Sequence, residues 1–190
     1  MKHILAIAGE QWYNMDDMKN QVFIDGQNLW FSTAKSDDPW TVDLTRFRVY
    51  VERKYDVTEA YYFIGYRIGE HEEMYRRIRE AGYVLVFREH LAHMATKKKG
   101  NVDTDIVFSV MRTVAEVKDV DKIYLVSGDG DYFKMVQYLI AKGKFGRLLA
   151  PNEKRMSSLY KNFNPEYYAF LNRNDVKYKI ARRNKKAGSS

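Results

Sequence analysis

Cysteine is absent from this 190-residue chain, which removes disulfide frameworks, thiolate nucleophiles and cysteine-rich zinc sites together and makes the reducing cytosol the expected location. Long apolar runs are missing as well. The apolar stretch nearest the start, residues 4–8, is too short for the core of a secretory signal, and nothing elsewhere approaches the length of a membrane span. Proline is scarce: its three copies, Pro39, Pro151 and Pro165, fall between periodic segments and leave the predicted elements unbroken. No repeat or low-complexity tract is present, so solenoids and arrays are excluded. What remains is the size of one domain, with enough apolar content, 45%, to bury a core.

Lysine and arginine outnumber aspartate and glutamate, 32 to 25, for a net charge of +7. The charge is concentrated at Lys97, Lys98 and Lys99 and at Arg182, Arg183, Lys185 and Lys186. A polyanionic partner would explain such runs, but a solvated loop and a frayed tail explain them equally well, and charge alone decides nothing.

Short β-forming apolar runs recur at residues 22–24, 60–64, 83–87, 123–126 and 148–149. Helical patterns lie between them over 44–55, 70–81 closing at Gly82, 103–117, and 132–141 closing at Gly143. Alternation of this kind predicts a Rossmann-like α/β fold: a parallel sheet of about five strands with helices on both faces and ligands beyond the carboxyl ends of the strands. The expected organisation is a leader over 1–20, the domain over 21–171, and a basic tail over 172–190 that is at least in part disordered.

Aspartates gather at those strand ends. The first strand runs into Asp25, Gly26, Gln27 and Asn28, and the fourth into Ser127, Gly128, Asp129, Gly130 and Asp131. Taken singly, Asp25 suits an Asx-turn or a helix cap, and Asp131 a cap for the following helix; capping accounts for one aspartate of the second group and leaves the other unexplained. A third source opens the helix near residue 103. Asp103 precedes Ile106, Val107 and Val110 by three, four and seven positions and shares their inward face, whereas Asp105 aligns with Ser109 and Arg112. Asp103 is therefore the expected ligand, and Asp105 a flanking candidate whose plainer task is to meet the helix dipole. Clustered carboxylates repel one another in a cleft unless a cation or raised pKa values relieve them, and an all-oxygen donor set suits Mg²⁺ or Mn²⁺.

The segments 22–29, 99–103 with its helix, and 125–132 resemble, in that order, the three motifs of NYN domain proteins of the PIN-like nuclease superfamily, and the likeness extends over about residues 20–171. The resemblance implies a metal-dependent ribonuclease. Asp25, Asp103, Asp129 and Asp131 fall on its acidic positions and Asn28 and Ser127 on the associated polar ones; the ion would activate a water for in-line attack that leaves a 5′-phosphate. Many relatives carry a further acid on the third-segment helix where this chain has Ser109, so a catalytically weak RNA-binding or protein-interaction module of the same fold is the alternative. RNA is the expected partner, and self-association into a homodimer is left open. Lys97, Lys98 and Lys99, just ahead of Asp103, are placed to attract a phosphate backbone.

Among the aromatic residues near the motifs, Trp30, Phe31, Tyr62 and Tyr132, core packing is the plainer task, with Trp30 the foremost candidate for stacking on a base. His90 and His93, at one-turn spacing, suit a surface or structural task better than a zinc pair. A phosphatase of the aspartyl-phosphate kind would carry a second acid two residues after the first, where Gln27 stands, and there is no P-loop lysine motif.

Overall fold

The computed structural model describes residues 4–7, 11–14, 18–88 and 102–183. Lys97, Lys98, Lys99, His90 and His93 lie outside the described residues, as does the end of the basic tail.

Two short antiparallel strands, β1 (Ile4–Ile7) and β2 (Gln11–Asn14), form a sheet of their own. The main sheet is built from β3 (Lys19–Asp25), β4 (Val57–Ile64), β5 (Val84–Phe87), β6 (Val120–Val126), β7 (Phe145–Ala150) and β8 (Tyr168–Phe170). All its pairings are parallel, in the order β5-β4-β3-β6-β7-β8. The expectation of a parallel α/β sheet is met, with six strands where about five were predicted. The sixth, β8, has only three residues, and its Tyr-Ala-Phe run is too brief to register as a strand without its partner β7.

The helices are α1 (Gly26–Thr33), α2 (Leu44–Tyr55), α3 (Glu72–Glu80), α4 (Val102–Glu116), α5 (Phe133–Ala141) and α6 (Asn174–Ile180). Strand alternation sorts the core into two layers. Val22 and Ile24 of β3 join Leu29, Phe47, Val51, Ile78 and Ile180 on the face covered by α1, α2, α3 and α6, whereas Phe23 joins Ile106, Val110, Val136 and Leu139 on the face covered by α4 and α5. Helix α6 lies inside the stretch expected as a tail. Its Ile180 is fully buried, and Arg46 of α2 donates hydrogen bonds to the carbonyls of Tyr178 and Ala181, so apolar anchoring and backbone capture hold a segment whose basic composition suggested otherwise.

The strand order carries the functional consequence. From β3 the chain winds outward through β4 and β5, returns by α4 to the other side of β3, and winds outward again through β6, β7 and β8. The carboxyl ends of β3 and β6 therefore flank a switch point, where connections depart in opposite directions and leave a crevice.

Candidate active site

Asp25 is the last residue of β3 and is 5% exposed. It caps α1, with Oδ1 accepting from the Asn28 amide at 2.9 Å, so the capping task expected for it is real. A side chain at Gly26 would come within 2.4 Å of the Tyr62 ring and 2.7 Å of the Phe63 carbonyl; only glycine lets α1 start this close to β4. Asn28 turns to the neighbouring strand, where its Oδ1 accepts from the Gly128 amide at 2.9 Å, tying the exits of β3 and β6 across the switch point.

After β6, the fully buried Ser127 accepts from the Asp129 amide through Oγ at 3.1 Å, and Asp129 Oδ1 accepts from the Asp131 amide at 3.0 Å. These bonds curl the chain into a 3-10 turn over Gly130–Tyr132. A second buried tyrosine, Tyr160, donates to the Asp129 carbonyl at 2.5 Å. The segment after β7 closes the rim: Ser157 donates its amide to the Gly128 carbonyl at 2.8 Å, and Arg155 donates to the Phe31 and Lys35 carbonyls at the end of α1.

Asp103 sits in the first turn of α4. It meets Asp25 at one atom. The Tyr132 hydroxyl lies 2.5 Å from Asp103 Oδ1 and 3.1 Å from Asp25 Oδ2. Burial raises the Asp25 carboxyl above the usual carboxylate range; the Asn28 amide and Tyr132 hydroxyl oppose that shift, while the negative charges of Asp103 and Asp129 add to it. Burial, followed by the charge of Asp25, also pushes the Tyr132 phenol strongly upward, so this hydroxyl acts as a donor at neutral pH.

The predicted residues thus divide. Asp25 and Asp103 converge on one hydroxyl, Asp129 lies close enough to act on Asp25 electrostatically, and Asn28 and Ser127 shape the backbone between them. Asp131 is exposed, and among the described residues its side chain makes no hydrogen bond to the others. Asp105, expected on the flank, has its Oδ2 shielded from solvent and without a hydrogen-bond partner among the described residues. Tyr62 and Tyr132 are buried, as core packing requires, but Trp30 and Phe31 are 49% and 46% exposed, in edge-to-face contact, with the Lys35 ammonium 5.3 Å from the Trp30 ring.

Reasoning from sequence missed the Tyr132 hydroxyl. A signal for its inward direction was present, because Tyr132 precedes Met135, Val136 and Leu139 by three, four and seven positions; its two acceptors come from segments 29 and 107 positions away.

Whether these residues suit a metal ion has two answers. In chemistry the fit is good: carboxylate oxygens converge in a partly desolvated crevice, where the charges of Asp103 and Asp129 add to the raised proton affinity of Asp25. In spacing, among the described residues no group of three histidine, aspartate or glutamate side chains stands close enough to hold an ion.

A parallel sheet whose switch point collects aspartates from the ends of β3 and β6 and the start of α4 defines a PIN-like nuclease fold. The chain belongs to the NYN domain family of that superfamily, whose model matches residues 19–171. It is 26% identical over 130 residues to the low amplitude and bright protein LabA of Synechococcus elongatus, covering 64% of this chain and 67% of that one. A crystal structure of a protein of unknown function from Vibrio parahaemolyticus superposes with a TM-score of 0.65 at 19% identity, over 87% of this chain and 96% of that one, a likeness of fold. PIN-like nucleases commonly work with divalent metal ions on nucleic acid substrates, and among the described residues no helix is long and apolar enough to cross a membrane.

Proposed function

We propose that this protein is a metal-dependent endoribonuclease that hydrolyses RNA phosphodiester bonds in the crevice between the ends of β3 and β6. The observation that carries the reading is the convergence of Asp25 and Asp103, with Asp129 within electrostatic range, although each comes from a different segment of the chain. Structural needs alone do not favour like charges sharing a buried crevice. Asp25, Asp103 and Asp129 would hold Mg²⁺ or Mn²⁺, and Asp131, exposed at the rim, would complete the shell or orient water. Such an ion, when bound, lowers the pKa of a water ligand and offsets the charge that develops on the phosphate.

The chain's own residues supply the rest. Asn28 and Ser127 fix the two strand exits, so the acids keep their spacing as a substrate enters. Trp30, exposed on α1 with Lys35 beside it, offers a ring on which an unpaired base can stack. Arg155 holds the end of that helix through two carbonyls, which makes the ring a fixed platform. Lys97, Lys98 and Lys99 immediately precede α4 in sequence and would draw the phosphate backbone toward Asp103.

The spacing of the carboxylates favours a second reading, an RNA-binding module with little turnover, because among the described residues no three acids are drawn together as ligands. Manganese-dependent cleavage of single-stranded and structured RNA, measured for the wild type, Asp25→Asn and Asp129→Asn, decides between them. The nuclease reading expects cleavage by the wild type alone. Equal activity in all three rejects it, and inactivity of all three with retained RNA binding establishes the binding module.

A further inference from the structure

Helix α2 has two faces of different character. Phe47 and Val51 are completely buried against the sheet. On the outer side two rows run along the helix at intervals of four, Thr45, Val49 and Arg53 beside Arg46, Tyr50 and Lys54, and with Lys179 of α6 they line an open groove of about 450 Å³. The two helices run in opposite directions along it. Arg46, in the first turn of α2, bonds the carbonyls of Tyr178 and Ala181 at the end of α6, and Asp175, at the start of α6, lies close enough to act electrostatically on Tyr50, one turn further along α2. Lys179 therefore stands beside the start of α2, whereas Arg53 and Lys54 occupy its last turn. Cations mark both ends of the groove and apolar surface lies between them, with Val49 39% exposed and Tyr50 half-buried.

Plainer tasks account for part of this. A basic residue in the last turn of a helix meets the helix dipole, and a single exposed valine needs no explanation. Neither task requires unpaired cations to share one groove. The acids nearby are already engaged, Glu52 by Arg48 and Asp175 by Arg173, each at 3.3 Å. The side chains of Arg53, Lys54 and Lys179 have no ion pair or hydrogen bond among the described residues. An occupant must therefore bring negative charge to both ends and apolar side chains to the middle. From Thr45 to Lys54 the groove follows α2 for about 13 Å, or about two and a half helical turns. Nucleic acid suits it less well, because bases stack on open aromatic faces, whereas Tyr50 already stacks on Phe47 and meets Tyr55 edge-on, and Val49 offers no plane.

We propose that the groove between α2 and α6 is a docking site for an acidic amphipathic helix of a partner protein, which lays its apolar side chains on Val49 and Tyr50 and sets its acids against Arg53, Lys54 and Lys179. The groove shares no residue with the crevice at the ends of β3 and β6, and the proposal stands whether or not that crevice cleaves RNA.

The probe is a fluorescein-labelled stapled helix with leucines on one face and glutamates along both flanks, titrated with the full chain and followed by fluorescence anisotropy. The same helix with lysines in place of the glutamates is the control ligand. The acidic helix is expected to bind and the basic one not. Lys54→Glu combined with Lys179→Glu should weaken binding at least about tenfold, since like charges then face one another, and Val49→Asp should do the same; all these positions are exposed, and thermal melts verify that each variant folds. Lys134→Glu combined with Lys142→Glu makes the same change in net charge at α5, on the other face of the sheet, and should keep the wild-type affinity. Failure of the acidic helix to bind, or equal losses in the two double variants, overturns the proposal. Full affinity in Val49→Asp overturns it too, by showing attraction of charge without docking. Oligouridylate that displaces the helix, and is itself weakened by the substitutions in α2 and α6, assigns the groove to RNA and overturns the protein partner.

Discussion

Asp25 carries two assignments at once, helix cap and candidate ligand, and they make opposite demands on its charge. The cap bond from the Asn28 amide favours the carboxylate, but burial raises its pKa by more than that bond lowers it. Below the unfolded value near 3.8, both folded and unfolded chains hold the proton and no penalty exists. As pH rises, the unfolded chain ionises first, so Asp25 progressively destabilises the fold until its own raised pKa is passed, after which the penalty is constant. Asp25→Asn, whose Oδ1 can still accept from the Asn28 amide while its Nδ2 donates toward the Tyr132 oxygen, is therefore expected to raise the melting temperature of the ion-free protein at neutral pH. The gain should shrink toward zero in acid. Thermal melts across that range check it, and a gain independent of pH would show that charge is not its source.

Gly26, next in the chain, is limited by space. Gly26→Ala drives a methyl group into the Tyr62 ring and the Phe63 carbonyl, and a loss of about 3 kcal/mol is expected, at the upper end of overpacking costs, measurable by denaturant titration. The presence of Gly26 after an acid at a strand end was readable as a sharp exit; the crowding that makes it necessary involves β4 and was not.

At the scale of elements, α1 was the helix the sequence least advertised. Its eight residues, Gly26–Thr33, include a glycine, an asparagine, a serine and a threonine, all weak helix formers, and only Leu29 among its apolar side chains is buried. The capping bond at one end and Arg155 at the other hold it. By contrast, α4 showed its inward face plainly through Ile106 and Val110, and Asp103, which shares their spacing, meets the buried Tyr132 hydroxyl. The six-residue strand β7 was visible only at Leu148 and Leu149, because Gly146 and Arg147 interrupt its apolar run.

Asn28 links elements that belong to opposite halves of the sheet. Asn28→Ala removes the acceptor for the Gly128 amide, a loss expected to cost about 1–2 kcal/mol. Hydrogen exchange at the Gly128 amide should accelerate more than exchange within β6 itself; uniform acceleration would mean that the bond contributes to global stability without holding the turn.

For the whole molecule, winding order did most to locate the site. Three acidic segments distant in sequence meet because the chain reverses its direction of travel between β3 and β6; alternating strands and helices in the sequence were enough to anticipate a site beyond the carboxyl ends of the strands, but not the strand order that makes it. The shared hydroxyl of Tyr132 was not legible, since hydrogen-bond partners across such separations leave no trace in local periodicity. The net charge of +7 gives a molecular prediction. Replacing Lys97, Lys98 and Lys99 with alanine should reduce the slope of log affinity for single-stranded RNA against log salt by about 2, at roughly 0.7 for each phosphate that is no longer neutralised. A slope unchanged from the parent would remove those lysines from the interface.

The amino end of the sheet has a practical use. Lys19 opens β3 with its amide bonded to the Asp119 carbonyl and its ammonium 3.1 Å from the Asp119 carboxylate. A seven-residue strand separates that corner from Asp25, about 20 Å at the usual rise per residue. A fluorophore or surface anchor grafted onto the turn at Lys118 would therefore report on the chain while leaving the crevice unobstructed.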